Sequence, residues 1–348
     1  MPFPSQPVGL PWPTRVWESS EPDAGVDREK LAGLVERAFA EPQPADLGLS
    51  LALLVVHRGR VIAERYGPGT GPSTTLISWS MAKSITHALY GLLIGEGRIT
   101  LGTPAPVAEW AADARREITI EQLLTMTSGL AFVEDYVDDQ VSDVLEMLFG
   151  AGSADHAAYA AAKPLIHRPG AVWSYSSGTT NILARIAGDL IGGGAAGTER
   201  YLRERLFDPI GMTSASPKFD PAGTFVGSSY VYATAADFAR FGYLYLRGGV
   251  WDGRRLLPVG WADHARRPTT APLPDDERHG YGAHWWRWYR SDTTFSANGY
   301  EAQRVVVAPD RDAVVVRLGK TPAEIGANVD AWLDQILGCL PLVTGADP

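Results

Sequence analysis

The sequence predicts a mixed α/β protein of the α+β kind, with an antiparallel sheet assembled from both termini, helices flanking it, and a mainly helical domain inserted between. Three observations predict this. Short β-rich runs lie near both ends of the chain, and the stretch between them reads as helices that stop at glycine. The even strand–helix alternation of a doubly wound parallel sheet is absent. The expected division is a discontinuous sheet domain from residues 1–100 and 281–348, a helical domain from 101–280, and an active site at their interface.

Residues 1–25 are Pro-rich and are expected to wrap the surface. Asp27 to Ala40 has helical spacing, with Leu31, Leu34, Val35 and Phe39 on one face. LSLALLVVHRGRVIAERYG follows, two β-rich runs around a His57-Arg58-Gly59-Arg60 turn, and predicts a hairpin. After a Gly/Pro loop, a helix is predicted from about Ser80 to Gly95. In the middle, EQLLTMTSG, VSDVLEMLFG, TTNILARIAGDLIGG and TAADFARFGYLYLRGG are helical patterns. Near the end, YGAHWWRWY, TTFSANG, AQRVVVAP and DAVVVRLG read as strands, with Pro309-Asp310-Arg311-Asp312 as a hairpin loop and a last helix around Pro322 to Leu337.

The 348 residues are 45% hydrophobic, which suffices for one large core or two smaller ones. Net charge is −9 and no basic stripe is visible, which argues against a nucleic-acid partner. No apolar run approaches the ~18 residues a membrane-spanning helix needs. The N-terminus lacks a charged start and a hydrophobic stretch, so a cytoplasmic protein is the expectation. Cys339 is the single cysteine and cannot form an internal disulfide. The seven histidines show no clustered metal spacing, so neither a metal nor a cofactor is expected. Gly192 to Gly197 contains Gly-x-Gly-x-x-Gly, but it follows a helical pattern and reads as a helix-ending loop. No Gly-x-Ser-x-Gly elbow occurs.

Chemistry points to Ser80-Met81-Ala82-Lys83, where a loop enters a helix. Residues i and i+3 share a helix face, so the serine hydroxyl and lysine amine can meet. A hydroxyl needs a nearby base, and a lysine becomes one when burial lowers its pKa. Free N–H groups at the helix start favour developing negative charge. The pattern alone is weak, since chance supplies it in about one such chain in four. Its context is what counts: among the five lysines only Lys83 stands in it, and the following helix, AKSITHALYGLLIGEG, is largely apolar. A buried lysine without function is uncommon. His87, near the same face, reads as a packing residue.

Two further segments extend the site. Pro169 to Gly178 (PGAVWSYSSG) reads as a tight loop before a helix starting near Thr179. Its Tyr175 is a proton-shuttle candidate if a nearby cation, Lys83, lowers its pKa of ~10, although a loop tyrosine is more often a packing residue. Phe295 to Gln303 (FSANGYEAQ) lies on a strand whose small residues let a substrate approach and whose backbone N–H can complete an oxyanion hole. Read alone, that segment is an ordinary strand and turn.

In this order, Ser80-x-x-Lys83, Tyr175-Ser176-Ser177 and Ala297-Asn298-Gly299 resemble the three motifs of the serine β-lactamase and penicillin-binding-protein superfamily, class C-like. LLTMTSGL, ATAADFARFG and YGAHWW support the likeness from about residue 30 to 340. The pattern is most similar to the branch of 6-aminohexanoate-dimer hydrolases (nylon-oligomer hydrolases) and esterases. The resemblance implies a β-lactamase/transpeptidase-like fold in which Ser80 attacks a carbonyl and Lys83 and Tyr175 share the proton work. It implies that the N–H groups of Ser80 and Tyr300 hold the oxyanion. Tyr136, Ser177, Trp286, Asn298 and Gly299 become substrate-binding candidates. Trp285 stays open beside Trp286, because neighbouring strand residues face opposite sides. Two departures matter. Ser177 replaces Asn, and Ala297 replaces a Lys that binds the substrate carboxylate in β-lactam-active relatives. Both shift the expectation from β-lactams to esters or small amides.

The predicted function is therefore a serine hydrolase with a Ser80 acyl-enzyme and a small-molecule ester or amide substrate. Two alternatives stand beside it: an acyltransferase or transpeptidase using the same residues, and a non-catalytic ligand-binding or sensor protein on this scaffold, against which the retained Ser80, Lys83 and Tyr175 count. Oligomeric state is open, a homodimer included.

Overall fold

A seven-stranded antiparallel sheet organises the part of the chain that this computed structural model describes, residues 9–135 and 142–343. Its strands are β1 (Leu49–His57), β2 (Arg60–Tyr66), β3 (Gly280–Tyr281), β4 (Trp286–Arg287), β5 (Phe295–Gly299), β6 (Gln303–Ala308) and β7 (Ala313–Lys320). They lie in the order β2-β1-β7-β6-β5-β4-β3. The two ends of the sequence meet where β1 pairs with β7, from His57 opposite Ala313 to Leu49 opposite Lys320. The β1–β2 hairpin turns through Arg58 and Gly59, at φ 49° and 74°. Two successive positive φ values match the strand twist, and the glycine accepts its value without strain.

The five longest described helices are α1 (Arg28–Ala38), α2 (Ala82–Gly95), α3 (Ser177–Ile191), α4 (Ala235–Leu246) and α5 (Gly326–Gly338). Alternate residues of the central strands enter different cores. Leu53, Val55, Val306 and Val315 pack with Leu31, Leu34, Trp332 and Leu333 of α1 and α5. Leu54, Val56, Val305, Val314 and Val316 pack with Phe238, Phe241 and Tyr245 of α4. Burial on both faces is why these antiparallel strands read as unbroken apolar runs instead of alternating ones. Helix α4 comes from the middle of the chain, yet it lies across β1, β6 and β7.

Several boundaries differ from those expected. The helix predicted from Ser80 opens with a 3-10 turn, Trp79–Met81, before α2 begins at Ala82. Helix α3 starts at Ser177 because the Ser176 hydroxyl accepts the Thr179 N–H at 3.0 Å. Gly192 (φ 79°) ends α3, and Gly193 caps a further helix, Gly194–Leu202. The YGAHWWRWY run is two short strands interrupted around His284, at φ 54°. A small three-stranded sheet of Leu76–Ile77, Val231–Ala233 and Ser216–Pro217 was not anticipated, and it delivers the chain into the Ser80 turn. Among the described residues no helix is long and apolar enough to cross a membrane.

Candidate active site

Ser80 sits in the 3-10 turn between the small sheet and α2. The Ser78 N–H donates to Val231 at 2.8 Å, which fixes the entry to this turn. Trp79 then adopts φ 44°, a left-handed conformation that costs a bulky residue about 1–3 kcal/mol and that clusters at functional sites. One helical turn onward, Lys83 is 2% exposed. Its Nζ lies 2.9 Å from Ser80 Oγ, 2.9 Å from Ser177 Oγ and 3.1 Å from the Ser228 carbonyl oxygen. Burial lowers the Lys83 pKa to about 8, against the opposing pull of the Glu134 carboxylate.

Tyr175, on the loop before α3, shares the cleft with Ser80 and places its ring 4.7 Å beneath Lys83 Nζ. Burial and then the Glu134 charge push its hydroxyl well above the ordinary value. This reverses the expectation of a tyrosine pKa lowered by Lys83. Glu134 reaches across to the start of α3, accepting the Ser177 N–H at 2.6 Å and the Ser177 hydroxyl at 2.5 Å. Nearby, His284 bridges Thr180 and the Leu124 carbonyl, and burial drops its pKa to about 3. It is a neutral packing group.

Ser80 and Tyr175 open into a cleft of about 350 Å³, with Trp286, Asn298, Gly299 and Tyr300 on its walls. At the cleft's other end Arg304 donates to Asp330 at 2.8 Å, and His279 bonds the second carboxylate oxygen at 3.0 Å. Burial alone would raise the Asp330 pKa, but Arg304 and His279 hold it well below the usual carboxylate range. Strand β5 pairs Asn298 opposite Arg304, so both project on one face, while Ala297 points into the larger core. Among the described residues no group of three or more His, Cys, Asp or Glu is placed to hold a metal ion.

The Beta-lactamase family model matches residues 37–337. The chain belongs to the beta-lactamase family. Its class is that of a serine hydrolase. A curated relative, the 6-aminohexanoate-dimer hydrolase of Paenarthrobacter ureafaciens, is 28% identical over 288 residues, covering 78% of this chain and 72% of its own. Among solved structures, a Bacillus anthracis protein provisionally assigned as a 6-aminohexanoate-dimer hydrolase superposes with a TM-score of 0.74 at 23% identity. That match covers 93% of this chain and 88% of the other. A family VIII carboxylesterase superposes at 0.68 with 13% identity, covering 92% and 99%. At these identities the structural likeness speaks for the β-lactamase/transpeptidase-like fold.

In this beta-lactamase-family chain, Ser80, Lys83, Tyr175 and Ser177 converge at one point, and Trp286, Asn298, Gly299 and Tyr300 line the same cleft. Tyr136 lies outside the described residues. Trp286 stands 5.2 Å from Tyr175, ring to ring, whereas Trp285 is fully buried against Phe241, Tyr245 and Phe295. Sequence reasoning missed Glu134 and the His279, Arg304 and Asp330 cluster. A loop glutamate and three residues spread over 279–330 carry no spacing signal. Only the pairing of β3 to β6 through the sheet and the packing of α5 bring the latter together.

Proposed function

We propose that this chain hydrolyses esters or small amides through an acyl-enzyme on Ser80. The observation carrying this reading is the 2.9 Å contact between Ser80 Oγ and the nitrogen of buried Lys83 at the wall of an open cleft. With a pKa near 8, Lys83 has a substantial neutral fraction at mildly basic pH and serves as a base. Ser80 Oγ attacks the carbonyl carbon and its proton passes to Lys83. Backbone N–H groups of Ser80 and Tyr300 receive the oxyanion. As the C–O or C–N bond breaks, the leaving group takes the Tyr175 proton, which Lys83 replaces. Water then attacks the acyl carbon, gives its proton to Lys83, and Ser80 departs reprotonated.

The names of the curated relative and the carboxylesterase support amide and ester substrates alike. Ala297, an apolar residue in the core at the third motif, supports a site not built for β-lactam carboxylates. The test is a panel of p-nitrophenyl esters, 6-aminohexanoate dimer and a chromogenic cephalosporin, with wild type and Ser80→Ala. Ester or amide turnover that vanishes in the variant, with a fluorophosphonate adduct on Ser80 in wild type, is expected. Undiminished turnover in Ser80→Ala would overturn the reading.

A further inference from the structure

The contacts of Lys83 are more ordered than a base near a nucleophile requires. Ser228 offers a carbonyl oxygen, which only accepts. Ser177 offers a hydroxyl, which has one hydrogen and can present either that hydrogen or a lone pair to Lys83. The Glu134 carboxylate removes this ambiguity. It accepts only, it stands 2.5 Å from Ser177 Oγ, and its second oxygen is anchored by the Ser177 N–H at 2.6 Å. The Ser177 hydrogen is therefore directed to Glu134, and a lone pair faces Lys83 at 2.9 Å.

A neutral amine has two N–H bonds and one lone pair. Ser177 and Ser228 take both N–H bonds, so the lone pair is left for the third neighbour, Ser80 Oγ. Resting on the hydrolase reading above, we infer that Glu134 is a positioning residue: through the Ser177 hydroxyl it aims the Lys83 lone pair at the nucleophile. Were the Ser177 hydroxyl able to rotate, it would donate to that lone pair and compete with Ser80 for the base. The arrangement takes over a place where the resembled motif has Asn, and it links a loop glutamate to the start of α3.

Other titratable groups face Lys83 as well. Tyr175 approaches from the loop before α3, and His284 from the β3–β4 connection. Glu134 is the group that acts on Lys83 against its burial, so its loss also moves the base to lower pH.

The test is a cycle of Glu134→Gln, Ser177→Ala and the double variant, read with a p-nitrophenyl ester across pH. Glutamine presents an amide that can donate to Ser177 and turn its hydrogen toward Lys83. In the wild-type background we expect Glu134→Gln to lower kcat roughly ten- to a hundredfold with little change in KM, and to move the acid limb of kcat/KM downward. In the Ser177→Ala background the same substitution should cost much less in kcat, because the hydroxyl it acts through is gone. Glu134→Asp should recover part of the rate and return the limb toward the wild-type position; if the Gln variant melts at assay temperature, the Asp variant in both backgrounds decides. Equal kcat losses in both backgrounds, or an unmoved acid limb, overturn the proposal while fluorophosphonate labelling of wild-type Ser80 keeps the hydrolase reading. A wild type that neither labels nor turns over overturns both.

Discussion

Gly299 on β5 lies so close to Ser78 that a Cβ added to it would stand 2.4 Å from the Ser78 carbonyl oxygen and 3.2 Å from Trp79 Cβ. The strand edge and the turn carrying Ser80 are thus in backbone contact, and the first obstacle cannot yield by a rotamer change. Gly299→Ala is expected to push the two apart, with about 1–3 kcal/mol lost. A lowered Tm together with a reduced kcat checks this; an unchanged Tm would show that the contact relaxes freely.

On the mechanism proposed above, Lys83 sets the pH dependence. As a base it works in its neutral form, so activity is present above its pKa and lost as pH falls through it. With that pKa near 8, kcat/KM should rise about tenfold per pH unit below 8 and level off above it. Lys83→Arg keeps the charge but never deprotonates at these pH values, and is expected to lose about 10²–10⁴-fold at every pH. Steady-state profiles from pH 6 to 10 decide.

Tyr175 stays a neutral phenol through that range, because burial and Glu134 raise its pKa. Tyr175→Phe removes a proton donor without removing the base. The expected result is about a 10²-fold loss in kcat and an acid limb that stays near its wild-type position. A limb that disappears would instead make Tyr175 the titrating group.

The two adjacent tryptophans should separate binding from stability. Trp286→Ala opens the cleft wall, so KM for bulky acyl esters should rise while the melting curve moves little. Trp285→Ala empties the core beside Tyr245, a loss of about 3–5 kcal/mol. Measuring KM and denaturant midpoints on both variants checks the division, and a reversed pattern would refute it.

Arg317 is fully buried on β7 and donates to the carbonyls of Leu47, Leu49, Glu301 and Ala302 and to the Thr321 hydroxyl. Burial pulls its pKa down to about 9. It clamps the turn after Tyr300, where Glu301 and Ala302 both have positive φ. Arg317→Met leaves those acceptors unsatisfied, and a loss of about 1–3 kcal/mol or more is expected from chemical denaturation.

Local physics wrote much of this protein into its sequence. The Arg58-Gly59 turn, the apolar runs of β6 and β7 and the glycines closing α3 are short-range signals, and they yielded the hairpins, the helices and a sheet made from both termini. The i,i+3 spacing of Ser80 and Lys83 is likewise fixed by helix geometry, so the pair was visible before any packing was known. What decided the rest was contact between residues far apart in the chain. Trp286 and Trp285 differ only by which side of a strand meets the core, and strand pairing set that. Tyr175 was buried beside the Glu134 carboxylate, and burial first, then that charge, raised its pKa although Lys83 lies over its ring. Glu134 carries no local pattern at all; it joins the site because its loop crosses the start of α3, where desolvation turns one hydrogen bond to Ser177 into control over the direction of a lysine lone pair.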